Sequence, residues 1–311
     1  MLRPNDQPAG SRLAPADITE NTSFTHDGSL LASATWTGVI NGSVAFAYDN
    51  NFRVSSEVIP AQAGIQVGFT YDKDGLLIGA GGLVINRDAG NGLVTGTNLG
   101  NVSDSWTYSG FGEPASYTAS FNGTPLLSDQ YARDNLGRII QKTETIGGTT
   151  DTYTYAYDQS GRLTDFTKDG ASIGHYEYDL NGNRLLYSGS LGIYNGTYDA
   201  QDRMLTYGGN AYTYTDNGEL ASKTTPTGIT QYGYDNFGNL ATVILPDGTR
   251  IDYVIDGRNR RVGKKVNGLL VQGFLYENQL RPVAELDENG NIISRFVYGT
   301  KVINCLIIVS T

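Results

Sequence analysis

Aspartates recur along this chain beside a tyrosine or arginine and, in most copies, three residues ahead of a glycine. Asp72, Asp134, Asp158, Asp179, Asp199 and Asp235 all stand in this setting. Recurrent carboxylates raise two chemistries. A protonated and an ionised acid together can cleave glycosidic bonds. Such a pair needs two unlike environments, and near-identical copies supply like ones. The runs "DKDG" (Asp72 to Gly75), "DLNGN" (Asp179 to Asn183) and "DENGN" (Asp287 to Asn291) cluster oxygen ligands suited to calcium. A calcium loop requires more ligands, ending in a bidentate acid, and the EF-hand spacing is not met. Two histidines, His26 and His175, and one cysteine, Cys305, do not make a zinc set. "GAGG" (Gly79 to Gly82) precedes no helix that could bind phosphate and reads as a turn or bulge. The expectation is a non-enzymatic protein with no cofactor and no metal.

The acids are better explained by the elements that carry them. In "YTYAYDQSGRL", from Tyr153, side chains alternate across a strand, so Tyr153, Tyr155 and Tyr157 share one face and Thr154 and Ala156 the other. Asp158 then opens a turn, where its carboxylate can accept from backbone N–H groups. Gly161 falls at the position of a type I turn with a bulge that favours positive φ. The motif is a hairpin instruction. Its markers are Tyr48, Tyr71, Arg87, Tyr108, Arg133, Tyr157, Tyr178, Tyr198, Tyr214, Tyr234, Ile255 and Leu286, each taken as the residue before the aspartate position. Tyr276 marks a possible degenerate copy in the long last gap. The structural repeat positions are Tyr71, Asp72, Gly75, Asp134, Gly137, Tyr157, Asp158, Gly161, Tyr178, Asp179, Gly182, Tyr198, Asp199, Tyr214, Gly218, Tyr234, Asp235 and Gly238. Two copies lose the aspartate, to Ser109 and Thr215, and one replaces the glycine with Asp202. The tyrosines are expected to pack across strands and leave their hydroxyls in water.

A lone hairpin is marginal, but a string of them can pair side by side. The expected fold is all-β: repeated antiparallel hairpins forming one curved, spiralling sheet. Composition agrees. Of 311 residues 40 are glycine, nearly twice the usual share, and 21 are tyrosine. The formal charge of −10 argues against nucleic acid. The basic run "GRNRRVGKK" (Gly257 to Lys265) reads as a solvated strand surface. A single cysteine excludes a disulfide framework, and no run is long and apolar enough for a membrane span. The start lacks the apolar stretch of a secretory signal.

The copies "YAYDQSGRLT", "YEYDLNGNRL" and "YGYDNFGNLA" resemble the tyrosine-aspartate (YD) repeats of RHS proteins and of the related teneurins. "RDAGNGLVTGTNLGNVSD" is similar too, and the stretch from Tyr253 through "LRPVAELDENGNIISRFVYG" resembles the opening of the RHS-associated core. The resemblance implies a hollow shell of spiralling hairpins around a C-terminal toxin or other cargo domain, or a support for adhesion, on a secreted or cell-surface protein. Nothing in this sequence matches the family's self-cleaving segment, so that activity is not carried over. The organisation expected is a polar lead-in at 1–25, poorly ordered; a YD-repeat array at 26–250; the start of the core at 251–300; and an aberrant apolar tail at 301–311. The tail is read as the product of a frameshift, which the coding DNA would test, or else as a hydrophobic edge strand. The partners expected are the cargo domain, cell-wall or surface carbohydrate stacked on the tyrosine rows, and further copies of the chain through open sheet edges.

Overall fold

The computed structural model describes residues 20–60 and 66–299, and the backbone of a strand at 305–310. Every regular element among them is a strand. The opening strands are β1 (Glu20–Asp27), β2 (Leu30–Gly38), β3 (Gly42–Tyr48), β4 (Val54–Val58), β5 (Gln66–Tyr71) and β6 (Leu77–Ala80). Next come β7 (Leu83–Arg87), β8 (Val94–Leu99), β9 (Val102–Tyr108), β10 (Pro114–Phe121), β11 (Thr124–Arg133), β12 (Ile139–Ile146), β13 (Thr149–Tyr157) and β14 (Leu163–Lys168). They are followed by β15 (Ala171–Tyr178), β16 (Arg184–Gly189), β17 (Gly192–Tyr198), β18 (Met204–Tyr207), β19 (Asn210–Tyr214), β20 (Leu220–Thr225), β21 (Gly228–Tyr234) and β22 (Leu240–Ile244). The closing strands are β23 (Arg250–Ile255), β24 (Arg261–Val266), β25 (Leu269–Tyr276), β26 (Pro282–Leu286), β27 (Ile292–Tyr298) and β28 (Cys305–Ser310). Each strand pairs antiparallel with its sequence neighbours in a single sheet of 28 strands, as expected of a hairpin array.

Two expectations fall partly outside the described residues, the lead-in at 1–19 and the tail at 301–304 and 311. Within the rest, Glu20–Thr25, counted with the lead-in, lie in β1, and the backbone of Cys305–Ser310 pairs with β27.

The sheet has two unlike faces. On one, hydroxyls pair across strands: Thr25 with Ser33 at 2.7 Å, Thr107 with Ser116 at 2.6 Å, Thr154 with Thr167 at 2.6 Å and Thr213 with Ser222 at 2.6 Å. The other carries the aromatics. The cross-strand register places Phe24, Ala34, Val44 and Glu57 on the same face as Trp106, Tyr117, Tyr155, Phe166, Tyr176, Tyr187 and Tyr194. Strict two-residue alternation produces this division.

The core lies where the two ends of the sheet overlap. Ala34, Trp36, Ile40, Val44 and Ile59 pack against Val254, Val262, Leu275, Val283, Ala284 and Leu286, all essentially without solvent contact. Val67 and Ala80 meet Val297 in a second cluster. The register gives the sense of the overlap. The opening strands contribute their aromatic face. The closing strands contribute the opposite face, the one that carries Val254, Gly263, Gly273, Leu275, Ala284 and Arg295. The sheet therefore wraps like a scroll, its opening strands outermost and its aromatic face inward. At the usual 4.7–4.9 Å per strand, one turn of this wall has a perimeter on the order of 100 Å. Glycines let the layers approach. A Cβ on Gly42 would lie 2.8 Å from Leu275 Cδ1, and one on Gly273 would lie 2.8 Å from Ile40 Cδ1.

Candidate functional site

The feature built most often in this molecule is the turn at one rim of the sheet. In most copies the aspartate's main-chain N–H donates to the carbonyl four residues on, and the N–H of the fourth turn residue donates back: Asp158 to Arg162 at 2.9 Å, and Gly161 to Asp158 at 3.0 Å. Asp158 Oδ1 accepts from the N–H groups of Ser160 and Arg162, both at 2.9 Å, and Oδ2 takes the Arg162 side chain at 2.6 Å. Those bonds hold the Asp158 carboxyl below its ordinary pKa, the backbone bond from Arg162 first; Asp134, Asp179 and Asp199 are lowered by equivalent partners. Gly161 has φ +80°, and the same left-handed geometry recurs at Gly75, Gly137, Gly182, Gly218 and Gly238. Phe52, Asp202 and Asn259 hold it without glycine, at φ +61°, +60° and +59°.

Consecutive copies are stitched together. The Tyr157 hydroxyl donates to Ile139 O at 2.6 Å, Tyr178 to Leu163 O at 2.8 Å, Tyr198 to Arg184 O at 3.0 Å and Tyr214 to Met204 O at 2.8 Å. Tyr48, Tyr71, Tyr108, Tyr276 and Tyr298 make the same bond. The expectation of water-facing hydroxyls is corrected at these positions: each reaches the first residue of the preceding copy's return strand or its close neighbour. Where arginine replaces tyrosine the donor is kept. Arg87 Nε reaches Leu77 O at 3.0 Å, and Arg133 Nη2 reaches Pro114 O at 3.2 Å. Tyr234 occupies the position without a hydrogen bond from its hydroxyl among the described residues. The turn arginine completes the link. Arg53, Arg138, Arg162 and Arg203 lie 4.5, 4.7, 4.9 and 5.1 Å from the ring centres of Tyr71, Tyr157, Tyr178 and Tyr214.

All the repeat positions named from sequence, from Tyr71 and Asp72 to Asp235 and Gly238, lie on this rim. The marker Leu286 does not. Its turn, Asp287 to Asn291, joins β26 to β27 and so falls on the opposite rim. The true successors are Tyr276, stitched to Arg261 O, and Tyr298, stitched to Pro282 O. A second correction concerns "GRNRRVGKK". Arg260 is 4% exposed and Val262 0%, so the run is solvated only in part: Arg258, Asn259 and Arg261 are exposed, while Arg260, Val262 and Gly263 are buried. Arg260 pairs with the fully buried Asp256 at 2.6 Å, and Asp256 Oδ2 also accepts from Trp36 Nε1 at 3.3 Å across the overlap.

The overlap holds the groups that sequence reasoning missed. Glu57 from β4 meets Arg295 from β27 at 3.3 Å, both out of solvent. Glu57 borders a small cavity of about 140 Å³, whose lining also includes Phe69, Tyr71, Glu277, Arg281 and Phe296. Burial, then the nearby Glu277 charge, pushes the Glu57 carboxyl up to about 7 against the pull of Arg295. Burial also raises Glu277. Partners separated by more than two hundred residues leave no local signal in sequence.

Across the middle strands the inner face carries a row of rings: Phe166, Tyr176, Tyr187, Tyr194 and Tyr207, with successive centres 6.3, 5.3, 5.8 and 6.1 Å apart. The rings lie over glycines. A Cβ on Gly174 would meet Phe166 Cε1 at 2.5 Å and Tyr187 Cε2 at 2.8 Å. No cluster of three or more metal-binding side chains occurs among the described residues, and no helix is long and apolar enough to cross a membrane.

A single antiparallel sheet of stitched hairpins, rolled on itself with its aromatic face inward, defines the class: a hairpin-repeat wall. The chain belongs to the teneurin YD-shell family, whose model matches residues 5–310. It is 29% identical to human Teneurin-4 over 157 residues, and equally to the mouse protein, covering 49% of this chain and 6% of each relative. Among solved structures it is similar to a Photorhabdus luminescens Tc holotoxin pore, with a TM-score of 0.53 and 13% identity over 86% of this chain and 19% of that one. The TcdB2–TccC3 complex is similar at a TM-score of 0.52 and 13% identity, over 90% and 16%. The chain thus spans a small fraction of each relative, and the structural likeness concerns the fold.

Proposed function

We propose that this chain is a section of shell wall that encloses or displays a cargo domain carried elsewhere in the same assembly, on a secreted or cell-surface protein. One observation carries the reading. The sheet rolls so that its opening strands cover its closing strands, leaving the aromatic face of the middle strands turned inward with most of its rings, Tyr187 excepted, half-buried. Its role is structural, and the acids of the repeat serve the turns. A folded reporter linked after Thr311 tests it. Enclosure predicts that the reporter resists added protease while the wall is intact and is digested once the wall unfolds. A reporter cut at the same rate in both states would refute enclosure.

The outermost strands β1 and β28 each pair on one side only among the described residues. Unpaired edges favour association of copies edge to edge. Sedimentation should show concentration-dependent oligomers; a monomer at every concentration would count against this.

A further inference from the structure

We propose that Arg184 forms a carboxylate-binding subsite on the inner face of the wall, taking an acidic side chain of an enclosed polypeptide. The copy that begins at Tyr178 departs from its neighbours. In both adjoining copies an arginine four residues after the aspartate neutralises it, as Arg162 does Asp158 and Arg203 does Asp199. Here Asn183 does that work, donating to Asp179 from its main-chain N–H at 2.8 Å and from Nδ2 at 2.9 Å. The arginine falls one residue later, at a position held in most copies by an apolar residue such as Leu77, Ile139, Leu163, Met204, Leu220 or Leu240, and by arginine again at Arg261, 3.7 Å from the Tyr253 ring centre. Arg184 pairs with Tyr178 across the strands and so shares the inner, aromatic face.

Its guanidinium lies 4.6 Å from the Tyr207 ring centre and 5.8 Å from that of Tyr176. Nε is out of solvent with no hydrogen-bond partner, and no carboxylate forms an ion pair with Arg184 among the described residues. The hydroxyls of Tyr176 and Tyr207 likewise make no hydrogen bond within the described protein. A shielded cationic donor without an acceptor is costly, and an arginine against aromatic faces suits a planar, bidentate anion. A single arginine without an ion pair, in a chain of net charge −10, favours a monoanion over a polyphosphate. The row's ring spacing of 5.3–6.3 Å is close to the roughly 6.6 Å that separates alternate residues of an extended peptide. A strand-like segment laid along the row, over the half-buried rings of Phe166, Tyr176, Tyr194 and Tyr207 with Tyr187 itself only 7% exposed, would place one acid at Arg184.

The source of the polypeptide rests on the shell reading, but the test does not. Calorimetry would compare the peptide Ser-Leu-Ser-Glu-Ser-Leu-Ser, blocked at both ends, with its Glu→Gln counterpart on the intact chain. The expected result is about tenfold tighter binding of the Glu peptide. Arg184→Leu should erase that preference while leaving the circular dichroism and melting curve of a folded sheet. Arg184→Lys should retain part of it. Equal affinity for the two peptides, no binding of either, or undiminished preference in Arg184→Leu would overturn the proposal. Binding of an oligouronate but not of the Glu peptide would overturn it too. A failed protease-protection experiment beside a clear Glu preference would remove the shell reading and leave the subsite standing. The reverse pattern would remove the subsite alone.

Discussion

The hydroxyl of Tyr178 donates to the carbonyl of Leu163 at 2.8 Å, while the guanidinium of Arg162, one residue upstream of Leu163, lies 4.9 Å from the centre of the Tyr178 ring. One side chain thus clamps both the backbone and the turn arginine of the copy before it. Removing the hydroxyl leaves that carbonyl without the donor. Tyr178→Phe should cost about 0.5–1.5 kcal/mol, read as a lower urea midpoint at unchanged slope. Tyr212→Phe, at a tyrosine without such a bond among the described residues, should leave the midpoint in place.

Phe52 and Asp202 both hold positive φ where most copies have glycine, yet they should respond differently. Phe52 is exposed, and Phe52→Gly should stabilise the chain by about 0.5–1 kcal/mol through relief of the left-handed backbone. Asp202 Oδ1 accepts from Asn181 Nδ2 at 2.9 Å and Asn183 Nδ2 at 2.7 Å in the preceding turn. Asp202→Gly gives up both bonds, so no net gain is expected. Thermal melts of the two variants side by side would decide it; an equal gain in both would show that the turn-to-turn bonds carry nothing.

Gly273 marks how closely the layers of the scroll approach. Its Cβ would meet Ile40, which is 1% exposed and has little room to move. Gly273→Ala should cost about 1–3 kcal/mol by overpacking. Gly209, where an added Cβ meets nothing, lies outside the overlap but has positive φ. Gly257, open and without positive φ, is therefore the fair control, and Gly257→Ala should be nearly neutral.

The Glu57–Arg295 pair should make stability depend on pH. In the folded protein the Glu57 carboxyl is raised from 4.5 to about 7. Between these values the folded state holds a proton that the unfolded chain has released. The stabilisation is full below about pH 4.5 and is lost as pH rises through about 7, on the order of 3 kcal/mol in all. Melts should therefore be higher at pH 5 than at pH 8, and Glu57→Gln should flatten most of the difference. Glu277, also raised, leaves a residual slope of the same sign. A wild-type stability that climbs from pH 5 to 8 would contradict this assignment.

The all-β hairpin array was legible because its determinants are local. Alternation in "YTYAY" puts Tyr155 opposite Phe166 and Thr154 opposite Thr167 on separate faces, and aspartate and glycine at fixed spacing supply the turn. The opposite-rim turn at Asp287 shows the limit: its local geometry matches the repeat, and only strand count reveals which rim it joins. The overlap was not legible. Trp36 and Asp256 meet across 220 residues. The closing strands bury the face that elsewhere carries hydroxyl pairs, so Val254 and Leu275 read in sequence as ordinary strand apolar residues. Arg184 was likewise hidden, since one residue's displacement in a repeat becomes meaningful only when the side chain's missing partner is seen.

The scroll separates what closes the wall from what sets its girth. The contacts between Trp36 and Asp256, Glu57 and Arg295, and Ile40 and Gly273 all belong to the first six strands and the last six. A hairpin duplicated anywhere between β7 and β22 would insert two strand widths, about 10 Å of circumference, without altering any partner at the closure. Capacity could then grow by gene duplication in small steps, roughly with the square of the number of hairpins, while the same clasp fastens every size.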